Sequence, residues 1–197
     1  MSQNQIATHF QQSLAALERA ANDAALLAVT SDIALAIVDA IRSGNKVLLI
    51  GNGGSAADAQ HIASEIVGRY RKERPGYAAV ALTTDTSALT AISNDYGFEQ
   101  IFARQVESLG RPGDVLLALS TSGQSPNILA ALAAARQRGL VIAGFTGLKG
   151  KSLHDVCDHL FVAPSDDTPV IQQIHMTAAH AICDSVERAL ADGVGDK

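Results

Sequence analysis

Apolar residues fall along this chain in two rhythms. Over the first 43 residues, Ile6, Phe10, Leu14 and Leu17 recur at steps of three and four, the spacing of an amphipathic helix. A second apolar stretch, residues 33–41, follows Ser31-Asp32, read here as an N-cap, and Ser43-Gly44-Asn45 ends it. Beyond that point the pattern changes to short apolar runs at 47–50, 78–82, 115–119, 141–145 and 160–162. Helical segments at 55–71, 86–94, 99–109 and 125–138 lie between them, and a long helix spans about 170–190. Wholly apolar strands alternating with helices predict an α/β fold: a parallel sheet covered on both faces, with right-handed crossovers. No repeat, low-complexity stretch or linker interrupts the chain, and Gly110-Arg111-Pro112-Gly113 reads as a turn. The two N-terminal helices need a partner for their apolar stripe, in the same domain or on another subunit.

Composition narrows the functional classes. A chain of 197 residues can bury roughly 70% of its unfolded surface, so it needs no disulfide or metal to form a core. With 47% hydrophobic and 18% charged residues it is not a disordered chain. A net charge of −5 argues against broad nucleic-acid binding. So does an aromatic content of 4% without Trp, which leaves no base-stacking platform. Cys157 and Cys183 lack CxxC spacing and build no disulfide framework, which fits a reducing cytoplasm. Met1 leads into a polar amphipathic stretch rather than a signal peptide, and the run at 47–50 is too short to span a bilayer. The expectation is a soluble, cytoplasmic protein with no nucleic-acid or membrane partner.

In an open parallel sheet, ligands sit beyond the carboxyl ends of the strands. The first strand runs into Gly51-Asn52-Gly53-Gly54-Ser55. Glycines allow close backbone approach, and Ser55 as an N-cap would open a helix whose free N–H groups suit an anion. Gly51, Gly53 and Ala56 loosely match a dinucleotide fingerprint, but the acid at the end of the next strand, Asp85, stands 29 residues beyond Ala56 instead of about 20, so a nucleotide is disfavoured. The third strand ends in Ser120-Thr121-Ser122-Gly123-Gln124-Ser125, four hydroxyls in six residues before another helix. Hydroxyls and backbone N–H groups can hold a phosphate without Lys or Arg. There is no GxxxxGK[ST], so a small phosphorylated metabolite fits better than a nucleoside triphosphate.

His61, Glu65 and Arg69 follow at steps of four on one predicted helix face. His61 and Glu65 could share a divalent metal such as Zn²⁺, or Glu65 could pair with Arg69 on a solvated face; two ligands do not make a site. On the last helix, Gln172 and His180 lie on adjoining faces, with His175 pointing elsewhere, packed or exposed. Asn94-Asp95 reads equally as a helix stop and as a polar pair facing the cleft. Asp155, Asp158 and Asp166-Asp167 read as solvated acids, and Arg69-Tyr70-Arg71-Lys72-Glu73-Arg74 as a solvated helix end, with Arg69 the one cation considered for the site.

Taken together, Gly51-Asn-Gly-Gly-Ser55, His61-x-x-x-Glu65-x-x-x-Arg69, Asn94-Asp95, Ser120-Thr-Ser-Gly-x-Ser125 and Gln172-x-x-His175-x-x-x-x-His180 resemble the sugar isomerase (SIS) domain family over nearly the whole chain. Within that family they resemble the phosphoheptose isomerases. The resemblance implies a single SIS domain, a five-stranded parallel sheet flanked by helices. Its core would occupy residues 46–197, and residues 1–45 would be an oligomerising helical extension of the same unit. It implies an aldose–ketose isomerase that converts D-sedoheptulose 7-phosphate to D-glycero-D-manno-heptose 7-phosphate through an enediol. That reaction is the first step toward activated heptoses for lipopolysaccharide and related glycans. It also implies a cytoplasmic homotetramer with active sites between subunits.

Carried over by residue, Ser120, Thr121, Ser122 and Ser125 would hold the phosphate. Asn52, Gly53, Gly54, Ser55, Arg69, Asn94 and Asp95 would line the sugar site. His61, Glu65, Gln172 and His180 would bind one zinc per subunit, with Glu65 and Gln172 also meeting substrate. Glu65 and His180 would be the catalytic pair. One departure stands at the last helix. Where the family pattern reads Arg-Ile-Gln-Glu, this chain has Val170-Ile171-Gln172-Gln173 after Pro169. Non-catalytic SIS relatives that bind the replication initiator DnaA lack the Glu and the final His that this chain has. Sugar-phosphate sensors would need a fused DNA-binding domain, for which this chain has no room.

Overall fold

In the computed structural model, which describes residues 3–191, the five apolar runs form one parallel sheet. The strands are β1 (Val47–Gly51), β2 (Ala79–Ala81), β3 (Val115–Leu119), β4 (Val141–Thr146) and β5 (His159–Val162), in the order β2-β1-β3-β4-β5. The helices are α1 (Gln3–Ala21), α2 (Ala24–Arg42), α3 (Gly54–Val67), α4 (Thr86–Tyr96), α5 (Ala103–Leu109), α6 (Pro126–Arg138) and α7 (Thr168–Ala191). β4 and β5 are joined by a kinked 3-10 segment, Leu148–Asp155, instead of an α-helix.

Side chains of the central strands alternate between two apolar layers, as period-two geometry requires. Val47 and Leu49 of β1 and Val115, Leu117 and Leu119 of β3 face α2, α3 and α7. Leu48, Ile50, Leu116 and Ala118 face α5 and α6. Every residue of β1 and β3 is buried, which is why their sequences carry no polar alternation.

Several helix boundaries depart from the sequence reading; α5, expected over 99–109, begins at Ala103. α2 begins at Ala24, capped by Asp23, whose carboxylate accepts from the N–H groups of Ala25 and Leu26. Ser31-Asp32 therefore lies inside a helix and caps nothing. α3 ends at Val67, with Gly68 as its C-cap, so Arg69 is no longer on a helix. By length and composition alone α2 could cross a membrane, with a mean hydropathy of 2.0. Ile33, Ile37 and Val38 are nevertheless buried in the core shared with α7 and the sheet.

Candidate active site

The chain leaves β1 toward β2 on one side and then returns to β3 on the other. The crevice between the carboxyl ends of β1 and β3 is thus the topological switch point, where ligands bind in folds of this kind. The two strands pair along their whole length, from Val47↔Val115 to Gly51↔Leu119, so the loops that follow emerge side by side. They are tied together by a reciprocal amide pair. Asn52 Nδ2 donates to Asn127 Oδ1 at 2.9 Å, and Asn127 Nδ2 donates to Asn52 Oδ1 at 2.8 Å. A cleft of about 450 Å³ opens here, lined by Asn52, Phe98, Glu99, Ser125 and Asn127 among others. Asn127 is buried, and sequence reading had passed over it.

The first loop turns tightly. A Cβ on Gly51 would lie 2.4 Å from the Ser55 carbonyl oxygen. Gly53, with φ 55°, is the N-cap of α3. Ser55 is therefore not the cap; it sits buried within the first turn. In the second loop, the Ser120 and Ser122 hydroxyls accept from the N–H groups of Gly123 and Gln124. The Gly147 N–H holds the Thr121 carbonyl at 3.1 Å. Ser125 is the N-cap of α6, as expected, but its hydroxyl makes no cap bond. Among the described residues the hydroxyls of Thr121 and Ser125 have no protein partner.

The chemistry-bearing side chains lie on the flank of the sheet, where α3 and α7 run side by side in the same direction. Three contacts mark their register. Gln172 Nε2 approaches Ser55 Oγ at 3.5 Å. His180 Nε2 lies 3.4 Å from His61 Nε2. Glu187 meets the segment that follows α3. His61 Nε2 also lies 3.1 Å from Glu65 Oε1. One ligand atom from each of His61, Glu65 and His180 lies within 4.8 Å of the others. Two imidazoles and a carboxylate form a donor set that suits Zn²⁺, so these residues fit the implied metal. Gln172, expected as a fourth ligand, packs against Gly54 and Ser55 at the head of α3; a Cβ on Gly54 would stand 2.5 Å from its Nε2.

Surrounding groups set the electrostatics. Asp58, one turn before His61, has a buried Oδ2 without a partner. Burial raises its carboxyl above the ordinary range, and the nearby His61 partly offsets this. Cys183 is buried beside Glu65, and burial together with that carboxylate pushes its thiol up to about 12. It is no nucleophile. Burial also pushes the Cys157 thiol up, to about 11. His175 is fully buried, its Nε2 bonded to the Thr146 carbonyl at 3.1 Å. Burial lowers its pKa to about 4, so it is neutral and packed.

Other sequence-picked residues stand apart. Arg69 is exposed and pairs with Glu73 at 3.6 Å, so the expected Glu65–Arg69 pair does not form. Asn94 donates to Asp95 at 2.9 Å; both are exposed at the end of α4, just before the Gly97–Glu99 stretch that lines the cleft. The presumed solvated segment 69–74 folds over α7, and Arg74, with a side chain only 4% exposed, is buried in it. Asp158 is likewise bound, to Arg136 and to the N–H of Ile142.

A family profile described as SIS domain matches residues 8–147. A phosphoheptose isomerase of Bradyrhizobium sp. (strain ORS 278) is 66% identical over 185 residues, 94% of this chain and 93% of the relative. The fold superposes on the phosphoheptose isomerase of Neisseria gonorrhoeae with a TM-score of 0.88 at 42% identity, covering 94% of this chain and 98% of the other. It superposes on that of Francisella tularensis with a TM-score of 0.91 at 37% identity, covering 95% and 99%.

Proposed function

The chain belongs to the SIS domain family and is a sugar-phosphate isomerase, and we propose that it interconverts D-sedoheptulose 7-phosphate and D-glycero-D-manno-heptose 7-phosphate at the site between α3 and α7. The convergence of His61, Glu65 and His180 where α7 packs on α3, the helix that leaves the first switch-point loop, carries this reading. In it, the hydroxyls of Thr121 and Ser125, the N-terminus of α6 and the rest of the Ser120–Ser125 loop take the phosphate. Asn52, Gly53, Gly54 and Ser55 border the sugar, with Arg69, Asn94 and Asp95 brought to it from the exposed rim.

Glu65 takes a proton from C1 of the open-chain ketose, leaving a cis-enediol, and returns it to C2. His180 protonates the C2 oxygen and receives the proton of the C1 hydroxyl, so the transfers balance and the aldose results. An imidazole suits a proton relay near neutral pH. His61, Glu65 and His180, with Gln172 at the head of α3, would hold a zinc ion. A bound divalent cation supplies Lewis-acid polarisation of a carbonyl.

The enzyme works in the cytoplasm as a homotetramer, and its product feeds activated-heptose and lipopolysaccharide synthesis. Exposed Ile6, Phe10 and Leu14 on α1 and Leu27 and Leu35 on α2 offer the apolar surface for subunit contact. The non-catalytic DnaA-binding alternative is disfavoured, since both Glu65 and His180 are in place. The test is turnover of D-sedoheptulose 7-phosphate with and without Zn²⁺, by the native chain and by Glu65→Gln. The native chain forms heptose 7-phosphate and a folded Glu65→Gln does not. Undiminished turnover in the variant refutes the assignment.

A further inference from the structure

Beyond the reacting groups, a buried ion pair closes the far end of the α3–α7 interface. The last carbonyls of a helix have no intrahelical donor. In α3 two of them are taken by one guanidinium: Arg74 Nη2 donates to the carbonyl of Glu65 itself at 2.8 Å, and Nη1 to that of Ile66 at 2.9 Å. The Arg74 fork also lies 4.2 Å over the Tyr77 ring. Its Nε donates to Glu187 Oε1 at 3.1 Å.

Glu187, 2% exposed, stands on α7 nearly two turns beyond His180. Its carboxylate also accepts from the N–H groups of Tyr70, Arg71 and Lys72, at 2.8, 2.7 and 2.7 Å. The Tyr70 ring in turn stacks on His180, 5.8 Å between centroids and 27° between planes. The path from Glu65 through Arg74, Glu187 and Tyr70 thus reaches His180 by contacts of fixed geometry.

We propose that the Arg74–Glu187 pair is a positioning device that holds Glu65 and His180 at proton-transfer geometry; this rests on the reading of those two residues as the reacting pair. A buried ion pair is a poor way to gain stability, because apolar replacements often do as well. This one is aimed at the backbone of one reacting residue and at the ring packed on the other. Groups that orient metal ligands and reacting side chains from behind typically change affinity or activity about 10–100-fold when altered.

The experiment compares the native chain, Glu187→Gln, Arg74→Lys and Glu65→Gln. It reads helix content, kcat and KM for the sugar phosphate, and Zn²⁺ affinity by competition with a chromophoric chelator. A folded Glu187→Gln loses about 10–100-fold in kcat and about tenfold or more in Zn²⁺ affinity. Its KM stays within about twofold, because the loops after β1 and β3 are untouched. Arg74→Lys, which keeps the charge but not the fork, moves both quantities the same way. Loss of folded protein alone would lower apparent kcat without weakening Zn²⁺ binding, so the affinity separates positioning from stability. A folded Glu187→Gln with kcat and Zn²⁺ affinity both within about twofold of native overturns the proposal. If Glu187→Gln does not fold, Arg74→Lys decides by the same criteria, and if neither folds the pair is structural and the proposal fails. Wild-type turnover by Glu65→Gln refutes the underlying reading; a silent Glu65→Gln beside unaffected pair variants refutes only the pair's role.

Discussion

Acid should weaken this fold through one histidine. His175 is wholly buried, edge-on to the rings of Phe145 and Phe161, with Nδ1 unpartnered. Burial takes its pKa from 6.5 down to about 4. Between those values the unfolded chain holds a proton that the folded chain does not, so stability falls as pH drops through that window. Going from pH 7 to pH 5 then costs about 2 kcal/mol from this residue alone. That corresponds to roughly 1 M in the urea midpoint for a slope of about 2 kcal/mol/M.

The assay is urea unfolding followed by circular dichroism at both pH values, at one protein concentration, because assembly would make stability concentration-dependent. Glu187 acts in the same direction. Burial would raise its pKa, but the three backbone N–H groups and Arg74 hold it below the ordinary range, so its contribution too is lost as pH falls. His175→Leu isolates the histidine. The Thr146 carbonyl keeps its bond from the Ala163 N–H at 2.8 Å, so the variant leaves no orphaned acceptor there. The difference in midpoint between pH 7 and pH 5 should shrink by roughly 1 M in the variant. Equal pH dependence in both proteins would refute the reasoning.

Three further outcomes test the site. Gly54→Ala puts a methyl 2.5 Å from Gln172 Nε2; the amide end can swing away, so stability changes by less than about 1 kcal/mol while turnover falls about 10–100-fold. Thr121→Val and Ser125→Ala each raise KM by about 10–100-fold with little change in melting temperature, the loss of one hydrogen bond to a charged group. Asn127→Ala breaks the reciprocal amide pair with Asn52 and lowers stability by about 1–3 kcal/mol, read as a drop of about 2–4 °C in Tm per kcal/mol. An unchanged Tm would mean that the pair does not join the two loops.

All five strands were legible because the central ones are buried on both faces and so are written in apolar residues throughout. Helix ends were less so. The true start of α2 was hidden because apolar residues continue on both sides of Asn22-Asp23, although Asp23 is a good capping residue. The end of α3 had its signal in Gly68, overlooked because the spacing of His61, Glu65 and Arg69 suggested one continuous face. Within α3, the i,i+4 geometry that joins His61 to Glu65 could be read directly. The meeting with His180 could not, because it depends on how α3 and α7 pack. Glu187 did leave a trace. It lies among Cys183, Val186 and Leu190 on a buried stripe, and an acid in such a place demands a partner. The sequence could not say that the partner would be Arg74.

The site divides its work between two kinds of structure. At the switch point, loops present hydroxyls and backbone N–H groups, and among the described residues no Lys or Arg lines that cleft. In the proposed function, a phosphate held there would be bound by dipoles fixed by the sheet, with no need of flexible cationic side chains. On the flank, two helices carry the imidazoles and the carboxylate, and contacts join them at both ends: Gln172 against Ser55 above, Glu187 with Arg74 below. His61 remains 49% exposed within one chain. Proton transfer through an enediol profits from exclusion of water. The open flank supports the proposed assembly, in which a second subunit would cover His61, Glu65 and His180, whose mutual contacts form within one chain.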